Sequence, residues 1–285
     1  MLRPTPLRQL LRNTTLSFFS GVAGWRGNAG VPILGYHSVG HVDSHINVLP
    51  ELFAVQMREL QAEGYRGISF KTFVDLVEEG AEIPADVVVL TFDDGLRNFL
   101  ENAWPTLDAC GFSATNFVPT DFVGETAAWY SSNGLDPLPV LDWDEMRELQ
   151  SHGIDIQSHG CSHRRLRDLD ADDFCREAAQ SKSLLEENLG RQVNLYCYPF
   201  GDVNKDYARA LKRAGYRAAV TVKQGLYRKG NNLLRIPRQI LDYITIADEP
   251  TARLSIRACL NGGYARYVRT RNAFKCLRCR GSSEN

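Results

Sequence analysis

Val87-Val88-Val89-Leu90-Thr91-Phe92-Asp93-Asp94-Gly95 runs four apolar residues, three of them β-branched, into two adjacent carboxylates and a glycine. An apolar run without polar alternation predicts a strand buried on both faces, as parallel sheets require. Asp93 and Asp94 then stand at the carboxyl end of that strand. In β/α proteins this end faces the mouth of the site, because the loops that follow the strands meet there. Two like charges side by side on a buried strand end are costly unless a cation or a proton intervenes. The pair therefore points to a metal, or to a carboxylate kept as a base.

Metal partners are found downstream, in Ile156–His163, which reads IQSHGCSH with His159 and His163 four apart. That spacing also arises by chance; the strand-end carboxylates give it weight. Asp94, His159 and His163 would make a two-histidine, one-carboxylate set. Three protein ligands leave positions open for water and substrate, as a catalytic zinc or related divalent ion needs. Asp93 would then be free to take a proton from that water.

The 285 residues are 44% hydrophobic and 24% charged, enough for one sizeable globular core. The net charge of −1 hides basic ends. Arg3, Arg8, Arg12 and Arg26 precede the first acid, Asp43, and only basic charges occur between Glu249 and Glu284. Such arms suit peripheral contact with an anionic membrane, or are simply solvated termini; no nucleic-acid partner is expected. Leu7–Trp25 is a candidate membrane-surface segment. No run approaches the roughly 20 apolar residues of a spanning helix. Seven cysteines, at scattered spacing, do not form a disulfide framework, and Cys276-x-x-Cys279 lacks a second ligand pair. Cysteine usage and the lack of a clear secretory signal lead to the expectation of a cytoplasmic protein at the inner face of a membrane, with a periplasmic or envelope location as the alternative.

From Val31 onward, strand-like and helix-like segments alternate. Strands are expected at Val31–Tyr36, Val87–Phe92, Ala114–Val118, Ile154–Gln157, Val193–Tyr198 and Ala218–Val222. Helices are expected at Glu51–Gly64, Thr72–Gly80, Leu96–Cys110 with a kink at Pro105, Trp143–His152 capped by Asp142, Asp170–Leu189 and Asp206–Ala214. This order predicts an α/β fold, a parallel, mostly closed (β/α) barrel. Pro119–Leu141 is expected as a long functional loop. Its aromatics, Trp129 and Tyr130, are candidates for substrate contact. Weak periodicity after Pro250 predicts a basic tail.

TFDDG at Thr91–Gly95, S-H-x-x-S-H at Ser158–His163 and YPFG at Tyr198–Gly201 together resemble the polysaccharide deacetylases, the NodB-homology group of carbohydrate esterase family four. PILGYHSVG, the pattern from Phe53 to Tyr65, and LDWDEMREL before the histidines extend the resemblance over roughly Val31–Leu241. It implies a distorted (β/α) barrel of the glycoside hydrolase/deacetylase type and a divalent metal, zinc first, with cobalt, nickel or manganese compatible. It also implies hydrolysis of N-acetyl groups on N-acetylglucosamine-type sugars in a polysaccharide, oligosaccharide or lipid-linked glycan. By position, Asp93 matches the base, Asp94, His159 and His163 the metal ligands, and Phe200 the residue whose backbone N–H helps hold the oxyanion. The chain thus divides into residues 1–30, a basic segment; 31–249, the catalytic domain; and 250–285, a basic tail.

Three departures matter. Gly160 stands where many relatives carry a hydroxyl. The arginine that orients the base in many relatives is missing before Tyr198-Pro199-Phe200-Gly201, and Arg238 is the candidate to replace it from another strand. No histidine follows His163 to act as general acid, which leaves His37, protonated Asp93 or water. His37 is equally readable as a packing residue. Trp143, by its counterpart's place near the site, is a substrate candidate whose alternative is core packing. Two rival readings stay open: a deformylase or amidase acting on another C–N bond, and an inactive glycan-binding relative.

Overall fold

The computed structural model describes residues 30–134, 136–241 and 249–260. In chain order its elements are β1 (Ile33–Tyr36), β2 (Ser38–Val39), β3 (Asn47–Val48), α1 (Pro50–Ala62), β4 (Arg66–Ile68), α2 (Phe70–Glu78), β5 (Val87–Phe92), α3 (Trp104–Ala109), β6 (Thr115–Val118), α4 (Trp143–Ser151), β7 (Asp155–Ser158), α5 (Ala171–Leu189), β8 (Leu195–Cys197), α6 (Lys205–Arg213), β9 (Ala218–Gln224), β10 (Ile236–Ile240) and α7 (Glu249–Leu260).

All six residues of β5 are buried. Along one edge β5 pairs in parallel with β1, from Ile33↔Val89 to Tyr36↔Phe92. Its other edge is shared. β4 takes the first half, Arg66↔Val87 to Ile68↔Val89, and β6 takes the second, Thr91↔Thr115 and Phe92↔Asn116. The sheet continues through β7, β8, β9 and β10 back to β1. Seven parallel strands therefore close a barrel, with short β4 added beside the first half of β5. This is the (β/α) barrel the alternation predicts.

Side chains alternate across a strand with period two. Val88, Leu90 and Phe92 join the large core cluster with α1 residues such as Phe53 and Met57. Val89 joins a second cluster with Ile33, Phe117, Leu195, Val220 and Ile236 from the other barrel strands. Phe70, Phe73 and Val74 of α2 complete that cluster. The interior is thus apolar at the level of Val89. Two residues further along the same face comes Thr91, and two more bring Asp93.

Helix ends follow local chemistry. Asp142 and Glu145 form a capping box at α4, and Asp170 caps α5, which stops at left-handed Gly190. One expectation changes. Pro105 does not kink a long helix: a wide π-type turn, Phe99–Ala103, leads into α3, and Pro105 sits in its first turn, where a missing N–H costs nothing. Residues 249–260, which include the start of the expected tail, are helical and docked on α1. Gln56 Nε2 donates to Ser255 Oγ at 2.9 Å, and buried Glu59 takes Arg257 Nε at 2.8 Å and Arg253. Leu7–Trp25, most of the basic termini, Cys276 and Cys279 lie outside the described residues. Among the described residues no helix is long and apolar enough to cross a membrane.

Candidate active site

Asp93 follows Thr91 on the interior face of β5, and Arg238 enters from β10. Arg238 is fully buried and binds Asp93 through both arms, Nη1 to Oδ1 at 2.7 Å and Nη2 to Oδ2 at 2.6 Å. Its remaining donors go to Thr91 Oγ1 at 2.9 Å, the Thr221 carbonyl at 3.0 Å and Cys197 Sγ at 3.2 Å. Gly35 leaves room for it: a Cβ there would lie 3.3 Å from the guanidinium carbon and 2.6 Å from Ile240 Cδ1. Burial pushes the Asp93 carboxyl up, but the Arg238 charge and hydrogen bonds outweigh it, with His37 and His159 adding, and hold it at about 2. His37 Nε2 stands 3.7 Å from Asp93 Oδ2. Arg238 therefore reaches the Asp93 carboxylate from another strand, and His37 faces the same group.

Asp94 is turned away from this pair by a left-handed backbone, φ 72°. Its Oδ1 lies 3.3 Å from His159 Nε2 and 3.1 Å from His163 Nε2, all three residues being buried. Its Oδ2 accepts from the Tyr130 hydroxyl at 2.6 Å. His159 Nδ1 meets the Cys197 carbonyl at 2.8 Å. A carbonyl only accepts, so Nδ1 carries the hydrogen and Nε2 of the neutral ring points a lone pair at Asp94 Oδ1. Lone pairs facing each other at this distance need a proton or a cation between them. Asp94 Oδ1 has no hydrogen-bond partner among the described residues. Burial alone would raise the Asp94 carboxyl, but His163 and His159 hold it well below the usual carboxylate range. Burial would lower His159, yet Cys197 and Asp94 push it well above its ordinary value. His163 is lowered by burial. The nitrogen, nitrogen, oxygen donor set fits a divalent ion. A second grouping, Asp93, His159 and Cys197, fits less well: Arg238 occupies Asp93, and burial raises the Cys197 thiol.

Three non-glycine residues among those described have positive φ: Asp94, His163 (49°) and Phe200 (57°). Left-handed backbone costs such residues about 1–3 kcal/mol and clusters where function over-determines it. Phe200 lies in the turn Pro199–Gly201, its ring centroid 4.8 Å from that of His163. The Arg165 guanidinium carbon lies over the Phe200 ring, 4.2 Å from its centroid.

The loop aromatics differ from expectation. The turn Ala128–Asn133 tucks Tyr130 inside, 4% exposed, so its ring is no platform for a sugar and its hydroxyl serves Asp94 instead. Trp129 is half-buried and stacks on His163, with centroids 4.3 Å apart at 27°. One indole face is therefore already covered. Trp143 is half-buried against the main core cluster, which is the packing alternative. Tyr130 and Thr91 as supports for Asp94 and Arg238 were not readable from sequence; the buried-strand threonine that opens TFDDG is the only hint.

Residues 80–219 match the family model described as polysaccharide deacetylase. The chain is 28% identical over 210 residues to the Bacillus subtilis protein YxkH, named for the same family, covering 74% of this chain and 71% of that one. It is 25% identical to the poly-β-1,6-N-acetyl-D-glucosamine N-deacetylase of Staphylococcus epidermidis, covering 67% of each. Among solved structures, the Streptococcus pyogenes deacetylase PplD in complex with acetate superposes with a TM-score of 0.67 at 26% identity, over 79% of this chain and 98% of that one. IcaB from Ammonifex degensii, at 20% identity, shares the fold with a TM-score of 0.69 over 82% and 98%. Residues 80–219 are thus a polysaccharide deacetylase domain.

Proposed function

We propose that the chain is a metal-dependent carbohydrate N-deacetylase, removing acetyl groups from N-acetylglucosamine-type residues of a glycan. The observation that carries this reading is the buried Asp94, His159 and His163 cluster, set beside the Arg238-bound Asp93 in a matched deacetylase domain. Asp94, His159 and His163 would hold the ion, zinc by first preference. When bound, the ion supplies a water of lowered pKa and polarises the acetamido carbonyl.

The protein's own groups supply the rest. Asp93 takes the water's proton at a carboxylate oxygen, each of which keeps a second lone pair beyond its Arg238 bond. Arg238 fixes the plane of that carboxylate, so the base does not swing out of reach. The Phe200 N–H supports the negative charge that develops on the carbonyl oxygen. His37, 3.7 Å from Asp93 Oδ2, relays a proton to the departing amine. The Staphylococcus relative makes a β-1,6-linked N-acetylglucosamine polymer the first substrate to test.

Acetate release should be measured from β-1,6- and β-1,4-linked N-acetylglucosamine oligomers, beside formylated and non-sugar amides. Acetate from a sugar series alone supports the proposal. Turnover only of formyl or non-sugar amides would replace it with the amidase reading, and no turnover despite bound metal would favour an inactive relative.

A further inference from the structure

His159 and His163 are joined by Gly160-Cys161-Ser162, and this short loop is fastened donor by donor. The Gly160 N–H donates to Ser158 Oγ at 3.1 Å. The Cys161 and Ser162 N–H groups donate to one atom, Glu177 Oε1, at 3.3 and 2.9 Å. The Ser162 hydroxyl donates to the same oxygen at 2.9 Å. From the opposite side, the Thr120 and Asp121 N–H groups donate to the Gly160 and Cys161 carbonyls at 3.0 and 3.2 Å. Glu177 stands on α5, one turn before Ser181, whose hydroxyl meets that of Ser158 at 2.8 Å.

No side chain at residue 160 can do this work. Gly160 has φ 81°, and a Cβ there would lie 2.9 Å from the Tyr196 hydroxyl. The loop also ends in left-handed His163, a conformation that persists only when its surroundings impose it. Hydrogen bonds to an ionised acceptor are roughly twice as strong as neutral ones. Glu177 supplies such an acceptor to three loop donors at once.

We propose that Glu177 is a positioning residue: its carboxylate sets the His159–His163 loop so that both rings converge on one divalent ion. This rests on the metal-dependent reading above. Among the described residues Glu177 makes no hydrogen bond to either ring and acts through the backbone between them.

The test compares wild type, Glu177→Ala and Glu177→Gln by two readouts. The first is the zinc dissociation constant, from competition with a chromophoric chelator. The second is hydrogen exchange of the Cys161 and Ser162 amides in metal-free protein. Loss of a supporting hydrogen bond behind a metal ligand weakens binding by about 10–100-fold. Glu177→Ala should fall in that range and exchange both amides faster. Glu177→Gln, which keeps an acceptor oxygen, should recover most of the affinity. Zinc affinity in folded Glu177→Ala within about twofold of wild type overturns the proposal, as does an equal loss in both variants. If Glu177→Ala does not fold, Ser162→Ala, which deletes a single donor, decides: unchanged affinity and exchange would overturn it. A wild-type chain that takes up no zinc would instead overturn the functional reading, while the exchange comparison still decides whether Glu177 fixes the loop.

Discussion

Asp93 and Asp94 are neighbours in sequence with opposite surroundings. Asp93 stays on the strand and meets a guanidinium, whereas left-handed Asp94 turns toward two imidazoles and a phenol. Breaking a buried pair by removing one partner typically costs about 3–5 kcal/mol, because the other charge is stranded. Arg238→Ala should therefore lower unfolding free energy by about that amount in chemical denaturation and leave little activity. Tyr130→Phe removes only a hydroxyl. It should weaken zinc binding by about tenfold while changing stability by about 1 kcal/mol, measured by chelator competition and denaturation. The Asp pair was legible because a buried apolar run ending in carboxylates has few explanations. Tyr130 was not: sequence gives an aromatic in a loop, but only the turn Ala128–Asn133 decides that its hydroxyl points inward. Glu177 was equally hidden, as one acid among several on a long amphipathic helix, with no local pattern to mark it as the one facing the loop.

At the scale of elements, β5 was readable because its residues are buried on both faces and so show no alternation. β4 was missed: three residues, Arg66-Gly67-Ile68, are too short for a periodic signal, and pairing with half of β5 defines them. α7 was missed for a different reason. Its buried apolar residues, Ala252, Ile256, Ala258 and Cys259, are mostly small and give a weak stripe, and Ser255, Arg253 and Arg257 add polar contacts to α1. Hydrogen bonds to charged groups contribute about 1.5–3 kcal/mol. The double substitution Arg253→Ala with Arg257→Ala leaves Glu59, 3% exposed, without these cations. It should cost roughly that amount, read as a lower thermal midpoint, with zinc affinity unchanged. A loss of zinc affinity would show that α7 also supports the site.

Across the whole molecule, one period-two face carries the logic of the barrel. Val89 belongs to the apolar interior, Thr91 receives Arg238, and Asp93 is held by it. An apolar layer below and a charged layer above exclude water beneath the site, where fixed donors act more strongly than in solvent. Closure through β1 and β10 brings residue 238 against residue 93, a contact set by topology and not by any local pattern. The fold class was legible from alternation alone; the ion-pair partner of the base needed the closed barrel to be placed.

The most direct test strips the chain of metal, titrates zinc back and follows acetate release from an N-acetylglucosamine oligomer. The account predicts no activity in the stripped chain and a rise that levels off at about one zinc per chain, as a single three-ligand site requires. Asp94→Asn should stay inactive throughout. Asp93→Asn should bind zinc yet turn over about 10²–10⁴-fold more slowly. Acetate release that survives stripping, or that is unaffected by Asp94→Asn, would contradict it.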